Sequence, residues 1–174
     1  MHFASVAYLR ILRRPVIDQK FHSVVKSQIK PLPKNAPITE HLAYLLAQAS
    51  REINRQLDAR LRQEGVPIEQ WRILKVLSDG KGHSMGELAD AVLLNHPTLT
   101  KMIDRMASDA LVYRLQDADD RRTVLMYCSD RGKALAQRLN LLAHSQEEHI
   151  AENYGNRATE DLKRLLESLI ERAS

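Results

Sequence analysis

The chain has 174 residues, of which 44% are hydrophobic and 28% charged, which is enough for one domain with a buried core. No apolar run reaches the roughly 18 residues of a membrane-spanning helix, and the single cysteine excludes an internal disulfide framework and is typical of a reducing cytoplasm. The net charge of +4 is no argument for nucleic-acid binding, because residues 1–34 carry seven Lys or Arg and one acid, whereas residues 95–122 carry five of each sign.

Residues 1–37 are predicted to form a basic extension that ends in a proline-rich linker. The extension contains a short apolar stretch but no small-residue cleavage signature, so we expect no signal peptide. Pro31, Pro33 and Pro37 exclude a continuous helix from the linker. The simplest expectation is a mobile extension to a domain at residues 38–174, and the alternatives are an added dimer helix or a basic arm on DNA.

Two amphipathic helices are predicted next. The first begins near Thr39, because Leu, Ile and Ala recur at steps of three and four until Gly65 ends the pattern. Pro67 then precedes a second helix over residues 68–77, where Trp71 shares one face with two leucines. Both helices therefore have an apolar face to bury.

The following stretch contains two short helices joined by a tight link. Ser84 and Glu87 form a capping box at the start of the first, and Asn95 and Pro97 mark the start of the second. Because only residues 92–94 separate them, the helices must cross at a steep angle, as in a helix-turn-helix. The second helix has an apolar stripe (Leu99, Met102, Ile103, Met106 and Ala110) and a polar stripe (Thr98, Lys101 and Arg105).

Two strand-like runs come next, with a charged segment between them. Residues 111–115 and 123–128 are rich in β-branched, aromatic and aliphatic residues, which is typical of strands. Residues 117–122 are too charged to be buried, so they are predicted to form the exposed tip of a hairpin. A helix-turn-helix followed by a hairpin is a winged helix, which we place at residues 66–128. The predicted fold class is therefore mainly α with a small β-hairpin.

Two further helices are predicted after the wing. Leucines recur at helical spacing over residues 132–152, residues 154–156 interrupt the pattern, and Thr159 is expected to cap a last helix. Together with the long helix before the wing, these helices exceed what one small winged helix needs to bury. We therefore expect residues 38–65 and 129–174 to be dimerisation helices that pack on each other and on a second copy.

Five short segments match motifs of one known family. They are Gln70-Trp71-Arg72-Ile73-Leu74, Pro97-Thr98-Leu99-Thr100-Lys101, Asp104-Arg105-Met106, Asp117-x-x-Asp120-Arg121-Arg122 and Ser129-Asp130-Arg131-Gly132. In these segments the chain resembles the MarR family of bacterial regulators, and the resemblance extends from about Thr39 to Ile170. It implies a cytoplasmic homodimer that binds double-stranded DNA at an inverted-repeat operator, most often as a repressor released by a small ligand.

The polar stripe of the second short helix is the predicted DNA-reading surface. Arg and Lys pair with guanine edges, and Thr contacts phosphate or the thymine methyl group, so Thr98, Lys101 and Arg105 are candidates for the major groove or its flanking phosphates. Asn95 and Thr100 lie at the helix start and flank, where a contact would be to the DNA backbone. A solvated polar face is the alternative. The predicted contacts of this helix are Asn95, Pro97, Thr98, Thr100, Lys101 and Arg105.

On the predicted wing, Arg121 and Arg122 are candidates for the minor groove or for phosphate, because a narrow minor groove attracts Arg. The neighbouring acids oppose DNA binding. The family resemblance implies a resolution in which Asp120 braces Arg122. An ordinary exposed turn is the alternative for this segment.

The resemblance also implies a small-molecule site between the dimer helices and the winged helix. An apolar pocket with aromatic walls and one or two cationic groups suits an aromatic or N-heteroaromatic carboxylate, such as a hydroxynicotinate-like acid. Packing, dimer contact or solvent exposure is the alternative for each residue. The matching positions are His41, Tyr44, Arg51, Trp71 and Arg72.

The residues allow other interpretations of function. The balanced charge of residues 95–122 favours a winged-helix protein-interaction module without DNA binding. A metal-responsive regulator could use His144 and Glu148, but no Cys or second His at ligand spacing joins them, so no metal site is expected. Cys128 ends a strand without an obvious basic neighbour, so we expect a structural role rather than a redox sensor. No catalytic or cofactor-binding motif is present, so neither an enzyme nor a cofactor is expected.

Overall fold

The computed structural model describes residues 32–173, which follow the predicted order of a mainly helical fold with a small sheet. The helical elements are a 3-10 turn at Ile38–Glu40, α1 (Leu42–Gln63), α2 (Ile68–Leu77), α3 (Met85–Val92), α4 (His96–Ser108), α5 (Asp130–Tyr154) and α6 (Asn156–Ala173). The strands are β1 (His83–Ser84), β2 (Val112–Gln116) and β3 (Val124–Cys128). Across residues 32–173, none of these helices combines the length and the apolar character that crossing a membrane requires.

The chain divides into two units, one ending at Gln48 and the other starting at Ala49. In the first unit, the N–H of Ala36 donates to the carbonyl of Pro33 at 2.9 Å, and the N–H of His41 closes the 3-10 turn on Ile38 at 3.1 Å. The long helix α1 therefore starts three residues after Thr39, where the sequence predicted its beginning. The second unit contains the winged helix and both C-terminal helices.

The sheet has three antiparallel strands in the order β1-β3-β2. The predicted hairpin is present, with Val112 opposite Cys128 and Leu115 opposite Leu125. The third strand, β1, has two residues and pairs His83 with Met126. Two residues are too few to show the alternation by which a strand is predicted, so the sequence indicated the hairpin alone. Because β1 leads directly into α3, it connects the helix-turn-helix to the wing.

The capping box predicted from Ser84 and Glu87 is present in the structure. Ser84 Oγ accepts from the N–H of Glu87 at 3.3 Å, and Glu87 Oε2 accepts from the N–H of Ser84 at 2.9 Å, which completes the capping box. The pKa of Glu87 is lowered, because its Oε2 accepts hydrogen bonds from the N–H and from the Oγ of Ser84, which favour the charged carboxylate. Ser129 Oγ likewise accepts from the N–H of Gly132 at 3.0 Å and starts α5. Short-range capping chemistry therefore determines where α3 and α5 begin.

The core of the second unit lies between the end of α1, the helices α2, α3, α4 and α5, and the inner face of the sheet. Leu99, Ile103 and Met106 of α4 are buried, as the apolar stripe predicted. Ala110 is not part of this stripe, because α4 ends at Ser108 and Ala110 is exposed with a φ of 54°. The other buried apolar residues are Leu57, Leu61, Val66, Ile68, Ile73, Leu74, Leu77, Leu88, Ala89, Val92, Leu111, Val112, Met126, Cys128, Ala136 and Leu139.

The prediction that Thr159 caps the last helix is wrong. Gly155, with a φ of 87°, separates α5 from α6, so α6 begins at Asn156. Thr159 therefore lies inside the helix, where its backbone N–H donates to the carbonyl of Gly155 at 3.0 Å. Its side chain is buried, and its Oγ1 has no hydrogen-bond partner in the part of the chain that the structure describes.

Candidate functional site

The exposed face of α4 carries the three residues predicted to read DNA. Thr98, Lys101 and Arg105 follow one another at steps of three and four and are all exposed, while the opposite face is held in the core. Within residues 32–173, neither Lys101 nor Arg105 forms an ion pair or a side-chain hydrogen bond. The structure therefore presents two uncompensated cations and a hydroxyl group on one side of a rigid helix.

Three further predicted residues lie at the start of α4. Asn95 Oδ1 accepts from the N–H of Thr98 at 2.9 Å and caps the helix. Thr100 Oγ1 donates to the carbonyl of His96 at 2.9 Å, so its hydrogen is used within the helix. Pro97 is exposed in the first turn. These residues order the helix end, and their exposed edges lie beside the face that carries Lys101.

A shallow groove of about 290 Å³ lies between the start of α2 and the exposed side of α4. It brings Pro67 and Gln70 of the α2 end to the same surface as Thr98, Lys101 and Arg105. In the sequence, Gln70 stands out only as part of a family motif. Its position beside the polar stripe depends on how α2 and α4 cross, which no local sequence pattern encodes.

Two acids of the wing tip, Asp117 and Asp120, accept hydrogen bonds from within the loop. Asp117 Oδ1 accepts from the N–H of Asp119 at 2.9 Å. Asp120 accepts from the N–H of Arg122 at 3.0 Å and from Thr123 Oγ1 at 2.9 Å. Asp120 thus contacts Arg122 through its backbone amide, and the guanidinium groups of Arg121 and Arg122 have no partner among residues 32–173. The carboxylates shape the turn, and both arginine side chains extend into solvent.

An ion pair connects α4 to the wing. Arg114 Nη2 on β2 donates to Asp104 Oδ1 on α4, and both side chains are about half exposed. The two residues are ten positions apart, and the hairpin register places Arg114 opposite Met126. No local sequence pattern predicts this pair. The ion pair links α4 to the wing at the protein surface.

Arg72, a predicted carboxylate partner, is half-buried and bonded to a neutral group. Its Nη2 donates to Asn54 Oδ1 on α1 at 2.9 Å, and Asn54 Nδ2 donates in turn to Ser50 Oγ at 3.2 Å. No carboxylate pairs with Arg72 among residues 32–173. Its side chain is therefore oriented by hydrogen bonds while its positive charge stays uncompensated, which is the arrangement an anion-binding group needs.

Trp71 points in another direction. Its indole N–H donates to Asn140 Oδ1 on α5 at 3.1 Å, and its ring packs against the core. The adjacent residues Trp71 and Arg72 therefore attach α2 to two different helices, as the 100° step between neighbours in a helix requires. The structure supports a packing role for Trp71 and leaves its ring half-buried.

The remaining predicted ligand residues are distributed over both units. His41 is exposed at the end of the 3-10 turn, and Tyr44 is half-buried on the first turn of α1, both in the first unit. Arg51 is exposed on α1 in the second unit. Its charge contributes to the low pKa of Glu52, about 2, which is caused first by the hydrogen bonds from Arg55.

Similarity to known proteins agrees with this geometry. The MarR family model matches residues 66–124, from the residue before Pro67 to the first residue of β3. The HTH-type transcriptional regulator YsmB of Bacillus subtilis is 32% identical over 111 residues, which cover 62% of this chain and 71% of YsmB. The chain belongs to the MarR family.

Regulators of the MarR family are DNA-binding proteins rather than enzymes, and this chain is a DNA-binding transcriptional regulator. They bind operators as dimers, and some bind small-molecule effectors. One relative, the homoprotocatechuate degradative operon repressor of Escherichia coli, is 25% identical over 75% of this chain and 88% of its own length. The structure of NadR in complex with 4-hydroxyphenylacetate superposes with a TM-score of 0.66 and is 26% identical, covering 81% of this chain and 97% of NadR.

The Cys128 thiol and the His144–Glu148 pair were the alternatives to a small-molecule effector site. Cys128 is buried, with its Sγ 3.9 Å from the carbonyl of Leu111, and burial raises the pKa of its thiol. His144 and Glu148 approach to 3.4 Å on the exposed side of α5. No group of three potential metal ligands occurs in the described range of the chain.

Proposed function

We propose that this MarR-family regulator is a dimeric repressor that binds an inverted-repeat operator and is released by a small aromatic carboxylate. The observation that carries the DNA-binding part is the exposed face of α4, where Lys101 and Arg105 have no partner among residues 32–173. In a helix-turn-helix the second helix lies in the major groove, where Lys and Arg pair with the O6 and N7 atoms of guanine. These two residues would read base edges, with Thr98 beside them.

The wing supplies a second set of contacts in this proposal. Because Asp117 and Asp120 accept hydrogen bonds within the loop, and Arg121 and Arg122 form no ion pair among residues 32–173, both arginines can approach DNA without a competing intramolecular ion pair. A guanidinium group at a hairpin tip reaches the minor groove or the adjacent phosphates. The wing would then anchor the protein, and α4 would select the sequence.

Dimerisation explains the apolar surface of the last helix. Leu162, Leu165 and Leu169 recur on one side of α6, and all three are exposed in the single chain. We assign this stripe to contact with a second copy, since burial of apolar area is the main favourable term in association. A two-fold dimer presents two α4 helices to half-sites about one DNA turn apart, roughly 34 Å. An inverted-repeat operator is the consequence.

Arg72 is the proposed partner of the effector carboxylate. Its guanidinium group is half-buried, oriented by Asn54 and uncompensated, so an entering carboxylate would complete a charge-assisted pair. Arg51, His41 and Tyr44 stay predicted ligand contacts. The complex of NadR with 4-hydroxyphenylacetate and the similarity to a homoprotocatechuate operon repressor support an aromatic acid as the ligand class. N-heteroaromatic acids such as hydroxynicotinates belong to the same chemical class.

A ligand can release the operator only by binding more tightly to a form that fits the operator poorly. Arg72 lies on α2, next to the helix-turn-helix, and its bond partner lies on α1. An effector held at this junction would favour one orientation of α2 and thereby change the spacing of the two recognition helices. This would couple effector binding to DNA release.

DNA binding is tested by incubating the protein with random genomic fragments and sequencing those that it retains. We expect enrichment of one inverted repeat. Lys101→Ala and Arg105→Ala should weaken binding to it by about 1–3 kcal/mol for a base-contacting residue and relax one base position. Arg122→Ala should weaken binding to all sequences and reduce the salt slope by about one.

Arg157→Ala is the matched control for these substitutions, because the Arg157 side chain is 97% exposed on α6, outside the winged helix. It should keep the affinity and base preference of the wild type. If no inverted repeat is enriched, the operator proposal fails. If all three DNA-face variants bind like Arg157→Ala, the DNA surface lies elsewhere.

The effector is tested by thermal shift with 4-hydroxyphenylacetate, homoprotocatechuate and hydroxynicotinates, followed by operator release. A ligand at one hundred times its Kd should stabilise the protein by about 2.7 kcal/mol. Arg72→Gln, which keeps a donor for Asn54 but removes the charge, should lose most of this effect. Arg55→Ala is the control, because Arg55 is already paired with Glu52 at 2.6 Å. An equal response in Arg72→Gln and Arg55→Ala would contradict the assignment.

A further inference from the structure

The turn between α3 and α4 contains a residue in an unusual conformation. Leu93 has φ 58° and ψ 43°, the left-handed region. Its N–H donates to the carbonyl of Asp90 at 3.4 Å, and the N–H of Leu94 donates to that of Ala89 at 3.1 Å, which ends α3 in a Schellman-type turn. Glycine is the residue usually found at this position, because a Cβ atom crowds the following carbonyl there. A leucine is thus placed at a strained position that the fold could fill better with glycine or asparagine.

The Leu93 side chain is not part of the buried core. It is 85% exposed, more than any other large hydrophobic residue in the described range, the next being Tyr154 at 75%. The neighbouring Leu94 is half-buried and packs against the core, so Leu94 supplies the apolar contact that this type of turn needs. The strained backbone and the exposed apolar side chain therefore both lack an explanation in the stability of the single chain, which is the pattern seen at functional positions.

The position of Leu93 on the winged helix indicates what it contacts. It precedes the α4 cap, Asn95, by two residues, so the two Cα atoms lie no more than about 7.6 Å apart. The N-terminal end of a recognition helix is the part that contacts base edges and the adjacent backbone. Leu93 is uncharged, so it is suited to the apolar groups that DNA presents there, namely thymine methyl groups and deoxyribose carbons.

We propose that Leu93 contacts DNA beside the N-terminal end of α4, through apolar contact with a thymine methyl group or a deoxyribose at the edge of each half-site. This inference rests on the proposed operator binding by α4. It adds an apolar contact to the polar ones of Lys101 and Arg105. Because no phosphate is neutralised, its contribution to affinity is independent of salt. A methyl contact also distinguishes thymine from cytosine.

The test compares Leu93→Asn and Leu93→Gly with Leu93→Met on the enriched operator. Asparagine and glycine adopt the left-handed conformation more readily than leucine, so neither should lower the Tm appreciably. Both should weaken operator binding by about fivefold to tenfold, the loss expected for about half of the burial of a leucine side chain. Leu93→Met keeps an apolar side chain of similar volume and should bind within about twofold of wild type. The salt slope should be the same in all four proteins.

The two sources of apolar contact are separated on the DNA. Replacing single thymines by deoxyuridine removes one methyl group at a time. If Leu93 contacts a thymine methyl, one such replacement weakens the wild type and leaves Leu93→Gly unchanged. If it contacts deoxyribose, no replacement has this selective effect while Leu93→Asn and Leu93→Gly still bind weakly.

Active protein fractions are set by stoichiometric titration, so partial unfolding cannot imitate weaker binding. Wild-type affinity in Leu93→Asn and Leu93→Gly overturns the inference, and so does an equal loss in Leu93→Met. If the wild type enriches no operator, the proposed function has failed and this inference falls with it. An enriched operator with unaffected Leu93 variants refutes the inference alone.

Discussion

The junction of α1 and α2 depends on one carboxylate, Asp58. Pro67 precedes α2 and has no side-chain group to cap it. Asp58 Oδ1 on α1 takes this role and accepts from the N–H of Ile68 at 3.0 Å, while its Oδ2 accepts from Arg62 Nε at 2.5 Å. Asp58→Ala would remove both bonds and leave the first N–H of α2 without an acceptor. We expect it to destabilise the helix that carries Arg72.

The expected loss in the free energy of unfolding follows from the two hydrogen bonds of Asp58. Loss of a helix cap costs about 1 kcal/mol, within a range of about 0.5–2. The Arg62 side chain is 64% exposed, so solvent screens the ion pair and it adds little to stability. Asp58→Ala should therefore lower the free energy of unfolding by about 1–2 kcal/mol, and Arg62→Ala by much less. Asp58→Asn keeps an oxygen acceptor and should lie between them.

Urea unfolding followed by circular dichroism measures these differences, with all variants at one protein concentration because a dimer's stability depends on concentration. The reasoning is refuted if Arg62→Ala costs as much as Asp58→Ala, since the ion pair would then be the stabilising contact and the cap would contribute nothing.

The same carboxylate predicts a pH dependence. The hydrogen bond from Arg62 lowers the pKa of Asp58 in the folded state, and the N–H of Ile68 lowers it further. A group with a depressed folded pKa stabilises the protein above its unfolded pKa, near 3.8, and loses this effect as the pH falls through the folded value. The difference between wild type and Asp58→Ala should be constant from pH 5 to 8 and shrink below about pH 4. A difference of the same size at pH 3 would exclude the charged carboxylate as its source.

Three other predictions concern the rest of the chain. Removal of residues 1–34, most of which lie outside the described range, should leave the dimer intact in analytical ultracentrifugation and make the salt dependence of DNA binding shallower, because six net positive charges leave with them; monomers would instead identify a dimer element. Mild peroxide should leave operator binding in gel shifts equal for the wild type and Cys128→Ala, because the buried thiol has a raised pKa; selective loss in the wild type would restore the redox interpretation. Asn140→Leu should lower the free energy of unfolding by about 1–3 kcal/mol, since it leaves the Trp71 indole N–H without an acceptor; a stable variant that keeps the wild-type urea midpoint would contradict the packing role of Trp71.

Local sequence signals determined most of the helical framework and the wing. Ser84 with Glu87, and Asn95, each satisfy backbone groups within three residues, so local sequence predicts the starts of α3 and α4. The start of α5 at Ser129 came only with the family resemblance. The apolar stripe of α4 and the charged hairpin tip are likewise periodic or compositional. The resemblance to a family added DNA contacts and a ligand class that these patterns did not contain.

The start of α6 shows where local sequence signals fail. The residue has the chemistry of a cap, but a single glycine at 155 turns the chain, so the helix starts earlier and the threonine is buried. Strand β1 is an element that the sequence did not predict. Its two residues form a strand only because β3 pairs with them, so the local sequence contains no pattern that predicts this strand.

Only the tertiary structure decided which groups are available for function. Arg114 pairs with the carboxylate of Asp104, so its positive charge is compensated. Arg72 bonds to a neutral amide 18 residues away, so its positive charge is not compensated. Leu93 is chemically identical to the leucines of the core, yet the turn that contains it places its side chain in solvent. A side chain's partners depend on where distant segments cross, and local propensity acts only over a few residues. The sequence therefore determined the elements, and their packing determined which charges and which apolar groups remain free to bind.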